Sequence, residues 1–225
     1  VGKSITGIRR RAKYIIIDLD QGALLVHLRM TGKLTPVAPE KHVTVMLHFE
    51  TGNTLYFQDT RKFGRMEYVN NPMEKLAHLG PEPLADDFTP EVFYKMLRSK
   101  NRQIKPLLLD QTFLAGLGNI YVDEALFQAG IQPLSIAASI PKRQSMSLHA
   151  AIQSILSASI KAQGTTILNF SHGENESGTY QAALQVYGRK DEPCLVCETP
   201  ITKITVGQRG THFCSSCQSL FKAKR

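Results

Sequence analysis

The sequence contains no run of about 18 apolar residues, so it predicts no membrane-spanning helix. It also shows no signal peptide, no internal repeat and no low-complexity tract. From these absences we expect a soluble, intracellular protein. The 225 residues suffice for one large or two modest domains, and a hydrophobic share of 42% is enough to bury cores.

Cysteine is absent before Cys194, and the four cysteines form two CxxC pairs near the C-terminus. Cys194 and Cys197 make the first pair, and Cys214 and Cys217 make the second, with 16 residues between them. This spacing is typical of a four-thiolate zinc site. The alternative is a pair of disulfides, but a CxxC disulfide is strained and nothing else indicates an oxidising compartment. We therefore predict one structural zinc ion that supplies the folding energy of this short segment.

Acidic residues are scarce at both ends of the chain, which has a net charge of +8 and a pI near 9.4. Residues 1–35 carry a net charge of +5 and residues 186–225 one of +4, whereas residues 36–185 carry −1. This distribution favours a polyanionic partner, most simply nucleic acid. A generally basic soluble protein without such a partner is the alternative.

Short, mostly alternating apolar segments in the first third of the chain predict antiparallel β-strands. These segments span residues 13–19, 23–30, 42–50, 53–59 and 65–69. The tripeptide Thr51-Gly52-Asn53 predicts a hairpin turn between two of them.

After about residue 73 the pattern changes to helices. Thr89 supplies an N-cap hydroxyl and Pro90 occupies the first helical position of a helix that extends to about Ser99. Further helices are predicted from near Pro106, over 120–129 and over 143–162. The predicted fold class is α+β and multidomain, with domains over residues 1–73, 74–184 and 185–225.

Four motifs, taken together and in order, resemble the formamidopyrimidine-DNA glycosylase family. They are LGPEPL (79–84), GLGNIYVDEALFQAGI (116–131), QVYGRK (185–190) and the cysteine pairs with GTHFCSSCQ (210–218). Members of this family are bifunctional base-excision enzymes that remove oxidised purines and carry an AP-lyase activity. The resemblance implies a partial antiparallel β-sandwich, a helix–two-turn–helix domain and a zinc-ribbon-like hairpin, with damaged double-stranded DNA lying across the cleft.

The resemblance assigns catalytic roles to Lys13 and Arg209. A lysine at the position of Lys13 assists β-elimination and contacts the lesion phosphate. An arginine at the position of Arg209 reaches the phosphates that flank the lesion and is linked to δ-elimination. From residue type alone, Lys13 belongs to a basic run typical of a solvated face, and Arg209 reads as a plain surface arginine. Gly207 and Gly210 would let the turn near Arg209 approach a DNA backbone closely.

Met30, Arg61 and Phe63 match side chains that fill the hole left by a flipped-out base. An apolar and an aromatic side chain make suitable wedges, and a guanidinium can hydrogen-bond the orphaned base. Composition alone would place Met30 and Phe63 in a core. The triad is similar to the oxidised-purine branch of the family rather than to the endonuclease VIII branch.

The segment Gly116–Asn119 precedes a predicted helix. Unpaired backbone N–H groups at a helix N-terminus, with a short amide side chain, favour a bound phosphate. The alternative is that Asn119 only caps the helix. The resemblance favours phosphate clamping.

Four further positions match DNA contacts of the family: His42, Lys100, Lys105 and Thr179. His42 reads equally as a surface residue at a strand end. Thr179 ends the polar, glycine-containing segment 171–179, which is typical of a mobile loop and corresponds to the lesion-capping loop of the family.

One departure from the family pattern concerns the nucleophile. The family uses the amine of an extreme N-terminal proline, followed by a glutamate that acts as acid and base, whereas this sequence begins Val1-Gly2. Alignment of RRRAKY (9–14) implies that N-terminal residues of the family are missing. We expect the chain as it stands to bind damaged DNA poorly and to cleave it hardly at all.

The leading hypothesis is therefore a monomeric bacterial DNA glycosylase and AP lyase with one zinc ion, located in the cytoplasm and associated with the nucleoid. An endonuclease VIII-like enzyme for oxidised pyrimidines is the first rival. A non-catalytic, zinc-dependent DNA-binding fragment is the second, and the missing Pro-Glu pair supports it.

Overall fold

The computed structural model describes residues 1–165 and 178–223, which divide into two compact units. The first unit comprises Val1–His78 with the end residues Thr165 and Gly178, and the second comprises Leu79–Gly164 and the residues from Thr179 onward. The sequence-based boundary between residues 184 and 185 lies inside the second unit, so the cysteine module and the helices share one unit.

Antiparallel strands build the first unit. They are β1 Ile5–Arg11, β2 Tyr14–Leu19, β3 Ala23–His27, β4 Gly32–Thr35, β5 Val43–His48, β6 Thr54–Asp59 and β7 Arg65–Val69. One sheet has the order β1-β2-β3-β7 and the other the order β4-β6-β5. The predicted hairpin turn joins β5 to β6, where Gly52 has a φ of 84° that favours glycine.

The inner faces of these two sheets share a core. Ile17 and Val26 of the first sheet and Phe57 of the second are almost fully buried in one cluster, against which Leu34 and Val45 pack. Burying such side chains stabilises the fold by about 1.5–3 kcal/mol each. The predicted antiparallel sandwich is confirmed.

Helices build most of the second unit. They are α2 Pro90–Arg98, α3 Ile104–Leu109, α4 Asn119–Gln128 and α5 Lys142–Lys161, with short 3-10 helices at Ala137–Ser139 and Tyr180–Ala183, whereas the short helix α1 Pro72–Leu76 belongs to the first unit. The helix start at Thr89 is confirmed, because its hydroxyl accepts a hydrogen bond from the amide of Val92 at 3.3 Å. Buried side chains of α2 to α5 form the main core of this unit.

The last strands, β8 Thr202–Val206 and β9 Arg209–Phe213, form the antiparallel hairpin of the cysteine module. Strands β1 and β4 and the short helix α1, by contrast, were not predicted from the sequence. Within the described residues, we find no helix with the length and apolar character needed to cross a membrane.

Candidate metal centre and nucleic-acid interface

The four cysteines converge in the second unit. Their Sγ atoms lie within 4.8 Å of one another, with 3.4 Å between Cys197 and Cys214 and 3.9 Å between Cys194 and Cys217. A tetrahedral site with Zn–S bonds of about 2.3 Å needs S···S separations of about 3.8 Å, whereas a disulfide needs about 2.05 Å. The four thiols are unbridged and fit one Zn2+. The predicted structural zinc is confirmed, and the disulfide alternative is wrong.

The metal centre is part of a small apolar core. Cys194 and Cys214 are buried with Phe127 of α4, Val186 and Ile201. The cysteine module is therefore packed directly on α4. Hydrogen bonds from Thr199 lower the pKa of the Cys197 thiol to about 6, which favours the thiolate that zinc binds.

A turn braced by Gln111 leads into the N-terminus of α4. Gly118 is the N-cap residue, and no side chain among the described residues caps this end. Gln111 braces the preceding turn, because its Oε1 accepts from the amide of Gly116 at 2.9 Å and its Nε2 donates to the carbonyl of Leu117 at 3.1 Å. The first amides of a helix attract phosphate. Asn119 does not cap the helix; its Nδ2 donates to the carbonyl of Gly210 at 3.0 Å.

A tight turn presents Arg209 at the tip of the β8–β9 hairpin. Gly207 and Gln208 both have positive φ, 54° and 62°, between the paired residues Val206 and Arg209, as in a type I′ turn. A Cβ on Gly207 would lie 3.0 Å from Cγ of Pro106, so glycine allows the tip to rest on α3. Arg209 itself is exposed.

Lys105, which the sequence analysis predicts as a DNA contact, is buried in the structure. Its side chain is fully buried, and its Nζ lies 2.5 Å from Oδ1 of Asp123 and 3.1 Å from the carbonyl of Gly210. Burial lowers the pKa of the Lys105 ammonium, while Asp123 opposes this effect. The other oxygen of Asp123 accepts from the amide of His212 at 2.9 Å. Lys105 thus joins α3 and α4 to strand β9 instead of facing solvent.

Glu124, the neighbour of Asp123 on α4, fixes the segment that leads into the cysteine module. Its carboxylate accepts hydrogen bonds from the backbone amides of Gln185, Val186 and Tyr187 at 2.8 to 3.0 Å. The residue is only 4% exposed. The carboxylate therefore holds this segment against α4 through backbone groups alone.

Met30, Arg61 and Phe63 lie on two loops of the first unit, one between β3 and β4 and one between β6 and β7. Met30 and Phe63 are each 59% exposed, so the alternative that they are core residues is wrong. Nη1 of Arg61 lies 3.4 Å from Sδ of Met30, which brings two of the three side chains into contact. Large apolar side chains held in solvent on adjacent loops are suited to insertion into a partner.

Lys13 is exposed in the turn between β1 and β2, close to a neutral histidine. Burial of His27, together with the nearby charges of Arg29, Lys13 and Arg65, lowers the pKa of its imidazole to about 4. Nδ1 of His27 accepts from the amide of Arg29 at 3.0 Å. Lys13, Arg29 and Arg65 form what we call the cationic cluster, an arrangement that attracts phosphates.

The remaining predicted contacts occupy separate places. His42 is half-buried before β5, with a φ of 66°, and its carbonyl accepts from the amide of Asp59 at 2.9 Å. Lys100 is exposed beyond α2. Thr179 is exposed, and its amide donates to the carbonyl of Ala162 at 3.0 Å. Residues 171–177 of the predicted lesion-capping loop lie outside the described residues.

Buried acids are the residues that the sequence analysis missed. Asp59, Asp123 and Glu124 are between 0% and 4% exposed. A signal was available for two of them, because Asp123 and Glu124 interrupt the otherwise apolar and aromatic run 120–127, and buried acids require hydrogen-bonding partners.

Three family profiles match the chain. Residues 1–66 match the formamidopyrimidine-DNA glycosylase N-terminal domain, residues 79–171 match the formamidopyrimidine-DNA glycosylase H2TH domain, and residues 191–220 match the zinc finger found in FPG and IleRS.

Curated relatives and solved structures agree with these matches. The chain is 44% identical to formamidopyrimidine-DNA glycosylase of Cytobacillus firmus, covering 97% of this chain and 82% of the relative. It superposes with a TM-score of 0.88 and 40% identity on a Lactococcus lactis FPG mutant in complex with Fapy-dG containing DNA, covering 97% of this chain and 83% of that one. With MutM (FPG) from Thermus thermophilus the TM-score is 0.89 at 37% identity, over 96% and 84% of the two chains.

Removal of one zinc ligand should unfold the β8–β9 hairpin. For the variant Cys197→Ser we expect loss of bound zinc and of amide protection in β8 and β9, because zinc supplies about 10–16 kcal/mol of apparent folding energy in comparable modules. Elemental analysis and hydrogen exchange measure both effects. Ser215→Ala, exposed between two ligands, is the control and should retain one zinc per chain. Full protection in a zinc-free Cys197→Ser protein would contradict the assignment.

Removal of the buried ammonium should destabilise the second unit. Lys105→Met leaves the Asp123 carboxylate buried without its cation, which costs about 3–5 kcal/mol. Urea denaturation measures the loss, and the double variant Lys105→Met/Asp123→Asn should recover most of it, because no charge is then stranded. Lys100→Met, at an exposed lysine, is the control and should change stability by less than about 0.5 kcal/mol. An unchanged midpoint for Lys105→Met would show that the ion pair contributes nothing.

Proposed function

Since the chain belongs to the formamidopyrimidine-DNA glycosylase family, we propose that it acts in base-excision repair on oxidised purines, namely 8-oxoguanine and formamidopyrimidines, as glycosylase and AP lyase. The observation that carries the proposal is the exposure of Met30 and Phe63, with Met30 in contact with Arg61. We also propose that it works as a monomer on double-stranded DNA in the bacterial cytoplasm, associated with the nucleoid.

The first part of the mechanism is base flipping. An enzyme that reacts at a nucleotide of a duplex must extrude it, at a cost of a few kcal/mol of lost stacking and pairing. Met30 and Phe63 would fill the vacated space, and the guanidinium of Arg61 would hydrogen-bond the unpaired opposite base. The contact between Arg61 and Met30 supports these two roles, because it keeps the guanidinium of Arg61 next to the apolar side chain of Met30.

The second part is a grip on the phosphates around the flipped nucleotide. The N-terminus of α4, where the helix dipole favours an anion, and the second N–H of the Asn119 amide would face one phosphate. Arg209 at the hairpin tip and Lys13 in the cationic cluster offer cations to others. His42 and Lys100 would add contacts along the backbone, and Thr179 would lie at the end of the lesion-capping loop.

The third part is the covalent step. An unprotonated amine would attack C1′ of the sugar, and the damaged base would leave with the electrons of the glycosidic bond and take up a proton. Opening of the C1′–O4′ bond, with a proton going to O4′, would then give the Schiff base. From it the 3′ and then the 5′ phosphate would be lost by β- and δ-elimination. A terminal amine, with an ordinary pKa of about 8, is unprotonated near neutral pH far more often than a lysine, with one of about 10.4. Lys13 would assist β-elimination, and Arg209 would assist δ-elimination.

The proposal is tested by binding and trapping together. We expect the 225-residue chain to prefer a duplex with 8-oxoguanine over undamaged DNA and over a duplex with an oxidised pyrimidine. Borohydride trapping is compared between this chain and a chain extended by the N-terminal Pro-Glu segment of the family, for which we expect a stoichiometric adduct.

Other outcomes of this experiment identify the rivals. Preference for the oxidised pyrimidine would indicate an endonuclease VIII-like enzyme. Equal affinity for all duplexes and no adduct with either chain would indicate a non-catalytic DNA-binding module. Equal trapping by both chains would place the nucleophilic amine within residues 1–225, and Lys13→Ala would then test whether it is that lysine.

Phosphate contacts should appear in the salt dependence of DNA binding. Each contact releases counterions, so Lys13→Ala and Arg209→Ala should each lower the slope of log affinity against log salt by about 0.9 and weaken binding to every sequence alike. Fluorescence anisotropy from low to moderate salt measures the slope. Lys75→Ala, at an exposed lysine already paired with Glu67 at 2.8 Å, is the control and should leave it unchanged. A variant that altered base preference at an unchanged slope would refute the phosphate role.

A further inference from the structure

One buried carboxylate connects the two loops that carry Met30, Arg61 and Phe63. Asp59 is the last residue of β6 and is 1% exposed. Its Oδ1 accepts from the hydroxyl of Thr31 at 2.5 Å, next to Met30 in the loop between β3 and β4.

The same carboxylate organises the other loop. Oδ1 of Asp59 accepts from the amide of Arg61 at 3.2 Å, and Oδ2 accepts from the amide of Gly64 at 2.6 Å. The hydroxyl of Thr31 also accepts from the amide of Arg61 at 3.2 Å, so the two loops are bonded to each other as well as to the carboxylate. The backbone on both sides of Phe63 is thereby fixed.

The packing behind this loop leaves no room for adjustment. A Cβ on Gly64 would lie 2.5 Å from Cζ of Phe57, closer than real Cβ contacts come, and 3.0 Å from Oδ2 of Asp59, tighter than most real contacts. The loop therefore turns directly over the sandwich core and the carboxylate. Glycine at this position is needed for the close approach, not for an unusual φ.

The hydrogen bonds are strong enough to keep Asp59 ionised despite its burial. Burial alone acts to raise the pKa of this carboxyl, but bonds from Thr31 and from the amides of Gly64, Arg61 and Phe63 outweigh it, and the pKa is lowered. Removing an acceptor would leave buried donors unpaired, which is why the arrangement is rigid.

We propose that Asp59 is a positioning residue that sets the spacing of the Met30 loop and the Arg61–Phe63 loop, so that the three side chains enter DNA as one preassembled wedge. The proposal rests on the void-filling role that is proposed above for Met30 and Phe63. It adds the Asp59 carboxylate as the group that holds their loops in place. Exposed side chains on independent loops would lose conformational freedom on insertion, whereas side chains on loops already fixed lose less.

The test separates wedge geometry from folding. Asp59→Asn keeps the shape but turns an acceptor into an NH2 group facing donors. Thr31→Val removes only the hydroxyl that connects the Met30 loop, and Thr31→Ser restores it. The probe is a duplex with 2-aminopurine beside a tetrahydrofuran abasic site, whose fluorescence reports unstacking. The amplitude is read at protein concentrations that saturate binding in anisotropy, so a smaller folded fraction shifts the midpoint but not the amplitude.

We expect Asp59→Asn and Thr31→Val to lose amplitude at saturation, as Phe63→Ala does, and Thr31→Ser to keep it. Combining Asp59→Asn with Phe63→Ala should add no further loss. Wild-type amplitude for both Asp59→Asn and Thr31→Val, with a loss for Phe63→Ala, would overturn the positioning role alone. If Asp59→Asn fails to fold, the Thr31 pair decides. Wild-type amplitude for Phe63→Ala and Met30→Ala would overturn the void-filling role itself, and the positioning proposal with it.

Discussion

Two adjacent buried carboxylates on α4 hold the second unit together. A carboxylate removed from water is stable only where donors satisfy its oxygens, so it fixes the position of whatever supplies them. Asp123 takes the ammonium of Lys105 and an amide of β9, while Glu124 takes three consecutive amides at residues 185–187. Successive helical residues point about 100° apart. One helix therefore fixes both the entry segment and the hairpin of the zinc module.

A buried carboxylate also connects separate segments in the β-sandwich, where Asp59 accepts hydrogen bonds from two loops. In both units the side chains proposed to contact DNA are exposed in turns and loops, and buried acids accept hydrogen bonds from the chain next to them. This arrangement separates two demands on the sequence: cations and wedges must stay available to a partner, while their spacing must be set before the partner arrives. The zinc ion fixes the cysteine module in a similar way, because a core of five buried side chains is too small to hold this module together alone.

Features that depend on neighbouring residues were predicted from the sequence. Features that depend on residues far apart in the chain were not. The CxxC spacing, the Thr89-Pro90 helix start and the Gly52 turn act within a few residues, so the sequence was enough. Strand β1 was missed because its basic run is typical of a surface segment, and only pairing with β2 reveals a strand. The burial of Lys105 depends on Asp123, 18 residues away, and on Gly210, 105 residues away. The residues around a lysine in the sequence do not indicate such distant partners. Composition alone likewise predicted Met30 and Phe63 to be core residues, whereas both are exposed.

His27 contributes no charge to the cationic cluster that surrounds it. With a pKa of about 4, its imidazole remains neutral through mild acidification, and the arginines of the cluster remain charged throughout. Many protein interfaces use a histidine of ordinary pKa to release or admit a partner between pH 5 and 7. Here burial and three neighbouring cations remove that switch. Mild acidification therefore adds no charge to the cationic cluster through His27 until the pH approaches 4.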